Sequence, residues 1–145
     1  MRKLFKSTIF MATILTTLTG SSQVDIDNLI LAKYADFYEY DSFQDDYIHQ
    51  TDTSGWLDVK INPNVDYYII EINNDGEEQK IWWEYTNEII DGFEPDSFDV
   101  YYTEDGRKVI FNYSDQEIYF YYDYSEIHEQ YLNFMALSKI ETYEK

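Results

Sequence analysis

Two Asp-Gly pairs, Asp75-Gly76 and Asp105-Gly106, each lie between runs of β-branched and aromatic residues, in "YYIIEINNDGEEQKIWWEYT" and "FDVYYTEDGRKVIFNY". A two-residue chain reversal of type I′ needs positive φ, which Gly and Asp tolerate, so both segments read as β-hairpins. With such a turn at Asp105-Gly106, Tyr102 faces Val109, Val100 faces Phe111 and Phe98 faces Tyr113. A second turn at Asp115-Gln116 sets Tyr113 opposite Ile118, Phe111 opposite Phe120 and Val109 opposite Tyr122. Every position on that face is apolar or aromatic, and a slip of one residue scatters acids and a lysine among them.

The opposite face of the same three strands is more polar. It places Tyr101, Ile110 and Tyr121 in a stripe near Asp99, Lys108 and Asp123. The stretch "SDQEIYFYYDYSE" carries five rings between Tyr119 and Tyr124; alternation assigns Ile118, Phe120 and Tyr122 to the core and Tyr119 and Tyr121 to this second face. A contiguous aromatic patch rimmed by polar groups is an interaction surface if it is exposed. It is a second core layer if another part of the chain covers it. In the upstream hairpin, a turn at Asp75-Gly76 pairs Ile72 with Gln79, Ile70 with Ile81 and Tyr68 with Trp83, and puts Ile69 beside Trp82 on the other face. "WLDVKI", before the Asn-Pro-Asn turn, supplies one more strand, and most of residues 57–124 is expected to be antiparallel sheet.

Helical spacing is the expectation at both ends. In "YSEIHEQYLNFMALSKIETYEK", Ile127, Tyr131, Phe134, Met135 and Ser138 recur at helical intervals after Ser125, a good N-cap. Near the other end, Asp25 or Asp27 can cap a shorter helix through "NLILAKYADFY", with Ile26, Ile30, Tyr34 and Phe37 on one face. Residues 38–55 read as loop with one edge strand at most. The expected fold class is therefore α+β: an antiparallel meander of hairpins with Asp-Gly turns and a C-terminal helix packed on the sheet.

Arg2, Lys3 and Lys6 precede the uncharged run "STIFMATILTTLTG", with Gly20 and Ser22 suitably small for cleavage after Ser22. That order predicts a signal peptide over residues 1–22 and a single domain over residues 23–145, located outside the cytoplasm, in the periplasm or secreted. No membrane span is expected after cleavage, because the apolar run falls short of the ~20 residues that crossing requires. There is no cysteine, which removes disulfides, lipid attachment and thiolate chemistry from consideration. The formal net charge is −19, and the signal holds three of the ten Lys and Arg. Such a charge repels nucleic acid and attracts cations and basic proteins.

Catalytic patterns are scarce. The two histidines are His49 and His128. "HEQYL" begins like H-E-x-x-H but has Leu132 where the second ligand must stand, one helical turn on. "DDYIH" gathers Asp45, Asp46 and His49, a donor set that a divalent metal accepts. "NNDGEE" resembles the middle of an EF-hand, yet Trp82 falls where its bidentate Glu is required. No catalytic residue, metal site or cofactor is assigned on these grounds. The expected function is an exported, acidic, non-enzymatic interaction protein that docks a basic protein partner. The alternative is a module that stacks a carbohydrate or other envelope component on exposed Trp56, Trp82, Tyr101 and Tyr121, and a metal-dependent enzyme ranks third. The binding candidates are Tyr101, Ile110, Tyr121, Trp82, Asp99 and Asp123.

Overall fold

A computed structural model describes residues 28–144 and the side chains of residues 28–141; the expected signal peptide lies outside the described residues. The described residues are all-β. Among them nine antiparallel strands run in the order β2-β1-β3-β4-β5-β6-β7-β8-β9, and β1 pairs with β9 to close eight of them into a barrel. They are β1 (Asn28–Asp41), β2 (Asp46–His49), β3 (Gly55–Pro63), β4 (Tyr67–Ile72), β5 (Gln79–Thr86), β6 (Phe98–Thr103), β7 (Lys108–Asn112), β8 (Glu117–Ser125) and β9 (Gln130–Glu144). Strand β2 stands outside the barrel and extends the sheet from the far end of β1.

Eight strands enclose a space that side chains can just fill, and here aromatic rings fill much of it. Tyr68, Trp83, Tyr101, Phe111 and Phe120 are all buried within one interior cluster. Trp83 stacks on Tyr101 with ring centroids 4.0 Å apart and meets Phe111 edge-on at 5.9 Å. The Trp83 indole N–H, which needs a partner when buried, donates to the carbonyl of Asn64 at 2.9 Å.

The α+β expectation is overturned at both ends, because each expected helix is a long strand of the barrel. The C-terminal segment is β9, which pairs with β8 on one side and with β1 on the other. Ser125 does accept the amide of His128, at 3.3 Å, as an N-cap would. The turn it caps goes no further than Glu129, whose φ is 55°. The helix-like spacing has a specific origin. At Lys33 and Lys139, which lie opposite each other, the alternation of both strands breaks: a bulge shifts the β1–β3 register between Ala32 and Tyr34, and Lys139 takes a φ of 54°. The core-facing residues are then Ile30, Ala32, Ala35 and Phe37 on β1, and Met135, Leu137 and Ile140 on β9. One three-residue step within a series of two-residue steps imitates a helical period. The weak strand propensity of "FMALSK" is outweighed by the backbone hydrogen bonds that close the barrel.

The hairpin registers need correction too. At Asp105-Gly106 the pairs are Tyr102 with Lys108, Tyr101 with Val109 and Val100 with Ile110, one residue away from the expected register. The loop has three residues, not two. The Gly106 amide donates to the Thr103 carbonyl (3.1 Å), and the Thr103 amide to the Arg107 carbonyl (2.9 Å). Gly106, at φ 86°, is the left-handed residue of a bulged turn. At β7–β8 the pairs are Phe111 with Ile118 and Val109 with Phe120; at β4–β5, Tyr68 pairs with Ile81. Both are displaced by two residues, which preserves which side chains share a face. Phe111 and Phe120 are thus both core, as expected, but they are not direct partners.

Candidate functional site

The one-residue shift at Gly106 separates the expected stripe. Tyr101 faces the barrel interior and is fully buried, whereas Ile110 and Tyr121 face outward. Asp99 turns inward with Tyr101 and is also buried; its carboxylate accepts the Tyr113 hydroxyl at 2.6 Å. Burial first, and then the charge of Asp99, push the Tyr113 hydroxyl well above its ordinary pKa. Ile110 packs with Phe98 and Val100 beneath Ile90 and Phe93. Those two residues come from the segment joining β5 to β6, so part of the outer face is a second core layer.

Beyond this covered area the outer face continues as a layer of half-buried aromatic rings. Tyr121 contacts Phe134 (4.9 Å between centroids), and Tyr38 stacks on Phe134 at 4.4 Å with the ring planes 8° apart. Tyr47 packs edge-on against Phe134 at 4.9 Å. Tyr131 and Tyr124 extend the layer from Tyr121, at 5.9 Å and 5.1 Å in succession. Registry explains the assembly: Phe134 lies between Tyr121 on β8 and Tyr38 on β1, and Tyr40 on β1 pairs with Tyr47 on β2. Strand β2, short as it is, carries Tyr47 onto the layer, where its hydroxyl donates to the Tyr131 carbonyl at 2.6 Å.

Carboxylates border these rings. Tyr40 donates to Asp45 and Tyr119 to Glu117, each at 2.6 Å. Asp36 holds His49 at 2.8 Å, and His49 in turn rests 5.2 Å from the Tyr38 ring. Glu88 receives both Tyr102 and Lys108. Burial alone raises the Glu88 pKa, but those two partners outweigh it and bring it below the usual carboxylate value. Burial, with a smaller contribution from Tyr47, pushes the Tyr121 hydroxyl up to about 12. The face therefore combines hydrogen-bonding tyrosines with carboxylates, a surface suited to ammonium and guanidinium groups.

The remaining expected residues lie elsewhere. Trp82 is partly exposed and packs edge-on to Tyr67 at 5.2 Å, with the Lys80 ammonium 4.0 Å from the Tyr67 ring and 4.9 Å from that of Trp82. Trp56, 74% exposed, meets Tyr34 at 5.2 Å. Asp123 is exposed and accepts the Asn133 amide at 2.7 Å. Asp45, Asp46 and His49 do not converge, and no group of three His, Asp or Glu able to hold a metal occurs among the described residues. Sequence reasoning missed Tyr38, Tyr47 and Phe134. The two-residue repeat Tyr34, Asp36, Tyr38, Tyr40 was a signal for the β1 part, masked by the bulge at Lys33. No known family, curated protein or solved structure matches this chain.

Proposed function

We propose that this is an exported, non-enzymatic binding protein that docks a basic protein partner on the aromatic layer around Phe134. The observation that carries this reading is the composition of that layer: half-buried tyrosines and a phenylalanine, bordered by Asp36, Asp45, Glu88 and Glu117, with the nearby Lys108 already paired to Glu88. Tyrosine gives large contact area with a polar end, and a net charge of −19 accelerates encounter with a cationic partner. Export rests on residues 1–22 alone. The test compares wild-type protein with a Tyr38→Ser/Phe134→Ser variant, each immobilised and exposed to an extracellular or envelope fraction. Proteins of high isoelectric point should bind the wild type, elute as salt rises and be lost from the variant. Retention that ignores both salt and the variant would refute the reading.

A second reading, stacking of an envelope glycan, is favoured by the exposed Trp82–Tyr67 pair and by Trp56 beside Tyr34. Binding of this kind should survive high salt and be lost in Trp82→Ala.

A further inference from the structure

One mouth of the barrel is not filled by the described residues. Where β1, β4, β8 and β9 meet the loops 73–78 and 104–107, a cleft of about 290 Å³ opens, with Phe37, Phe120, Tyr122 and Met135 as apolar walls. That volume is at the small end of the range for ligand pockets. Tyr68 also lines this cleft. It is fully buried, and its hydroxyl has no hydrogen-bond partner among the described residues. A buried hydroxyl without a partner costs about 1–3 kcal/mol, so a fold that keeps one commonly uses it. The charges acting on that hydroxyl are those of Arg107 and Asp105, whose side chains form an ion pair at 3.3 Å.

The rim adds Asp75 and Glu77, so negative groups outnumber the one guanidinium and the opening disfavours an anion. Aromatic walls beneath an acidic rim suit a cation, by cation–π attraction and by direct pairing. A neighbouring cleft of about 620 Å³ beside the loop 50–55 is larger, but its Ser54 hydroxyl is already satisfied, donating to the Gln50 carbonyl at 2.7 Å and accepting the Phe37 amide at 2.9 Å. Of these two clefts, the mouth is the one whose buried hydroxyl has no partner among the described residues.

We propose that the barrel mouth binds a small aromatic amine carrying a hydroxyl at the end opposite its ammonium. The hydroxyl meets Tyr68, the ring lies among Phe120, Tyr122 and Met135, and the ammonium sits at Asp75 and Glu77. This site is separate from the outer aromatic layer, and either can fail without the other.

The probe is tyramine, titrated into the full chain by calorimetry and followed by amide chemical shifts. Phenethylamine, which lacks the hydroxyl, and phloretate, which replaces the ammonium by a carboxylate, are the comparison ligands. Tyramine should bind most tightly, phenethylamine about fivefold more weakly, and phloretate least. Tyr68→Phe should remove the difference between tyramine and phenethylamine while leaving the melting temperature equal or higher, since it deletes an unpaired buried hydroxyl. Asp75→Asn combined with Glu77→Gln, both on the surface, should weaken tyramine and strengthen phloretate. Three results would overturn the proposal: no saturable tyramine binding, phloretate binding as tightly as tyramine, or a tyramine preference that persists in Tyr68→Phe.

Discussion

Trp83 and Tyr101 stack nearly parallel inside the barrel, their ring centroids 4.0 Å apart and their planes at 20°. The stack joins β5 to β6 diagonally, since Trp83 pairs with Thr103 and Tyr101 with Tyr85, and it places Tyr101 at the centre of the core with no exposed surface. Tyr121, two strands away, is only half-buried on the outside.

The two tyrosines should therefore respond differently to truncation. Tyr101→Ser is expected to cost about 3–5 kcal/mol, the usual range for emptying a large aromatic site in a core. Tyr121→Ser should cost well under half of that, because its neighbours Phe134 and Tyr47 can close over a surface site. Urea denaturation of the two variants checks this, and equal losses would contradict the facing assigned to β6.

Gly106 offers a clean measure of backbone strain. A Cβ built there meets no atom within 4 Å, so its φ of 86° is the sole obstacle to a side chain. Gly106→Ala should destabilise by about 1–2 kcal/mol and Gly106→Asn by less, since Asn tolerates the left-handed region. A two-residue type I′ turn would instead place positive φ at Asp105 as well, so Asp105→Gly should stabilise that arrangement but not the bulged one. Denaturation midpoints of the three variants separate the two turns.

The outer tyrosines give stability a defined pH dependence. Tyr121 ionises near 10 when unfolded and is pushed up to about 12 in the fold, chiefly by burial. A group whose folded pKa is raised contributes stability that is complete below the unfolded value and lost as pH rises through the folded one. Stability should accordingly hold to about pH 10 and decline toward pH 12. Tyr121→Phe should make that decline shallower, as followed by tyrosinate absorbance together with circular dichroism.

If the C-terminal segment were a helix packed on a finished sheet, removing it would expose a face but leave the sheet paired. As β9 it joins β8 to β1, and its loss opens both edges along their length. Truncation after Glu129 should abolish cooperative unfolding and promote association through the freed edges. In the intact chain, slow amide exchange at Ala136 and Leu137 should match that of the interior strands. Fast exchange there would contradict the closed barrel.

Local chemistry in the sequence was enough to determine that the middle of the chain is antiparallel hairpins, which positions turn, and which side chains of β7 and β8 face the core. These follow from two-residue alternation and from Gly, Asn and Asp at the reversals, interactions that span only a few residues. Only the tertiary structure decided the rest. Whether Asp105-Gly106 made a two-residue or a three-residue loop was a choice between two local geometries of similar cost, and the inward demand of Tyr101 against Trp83 selects the second. That choice took Tyr101 and Asp99 out of the expected outer stripe. The strands β1 and β9 were illegible because one bulge and one left-handed lysine break their alternation at the point where they pair. Their reward, the long ladder that closes the barrel, joins residues about a hundred positions apart, a distance at which no local pattern carries information.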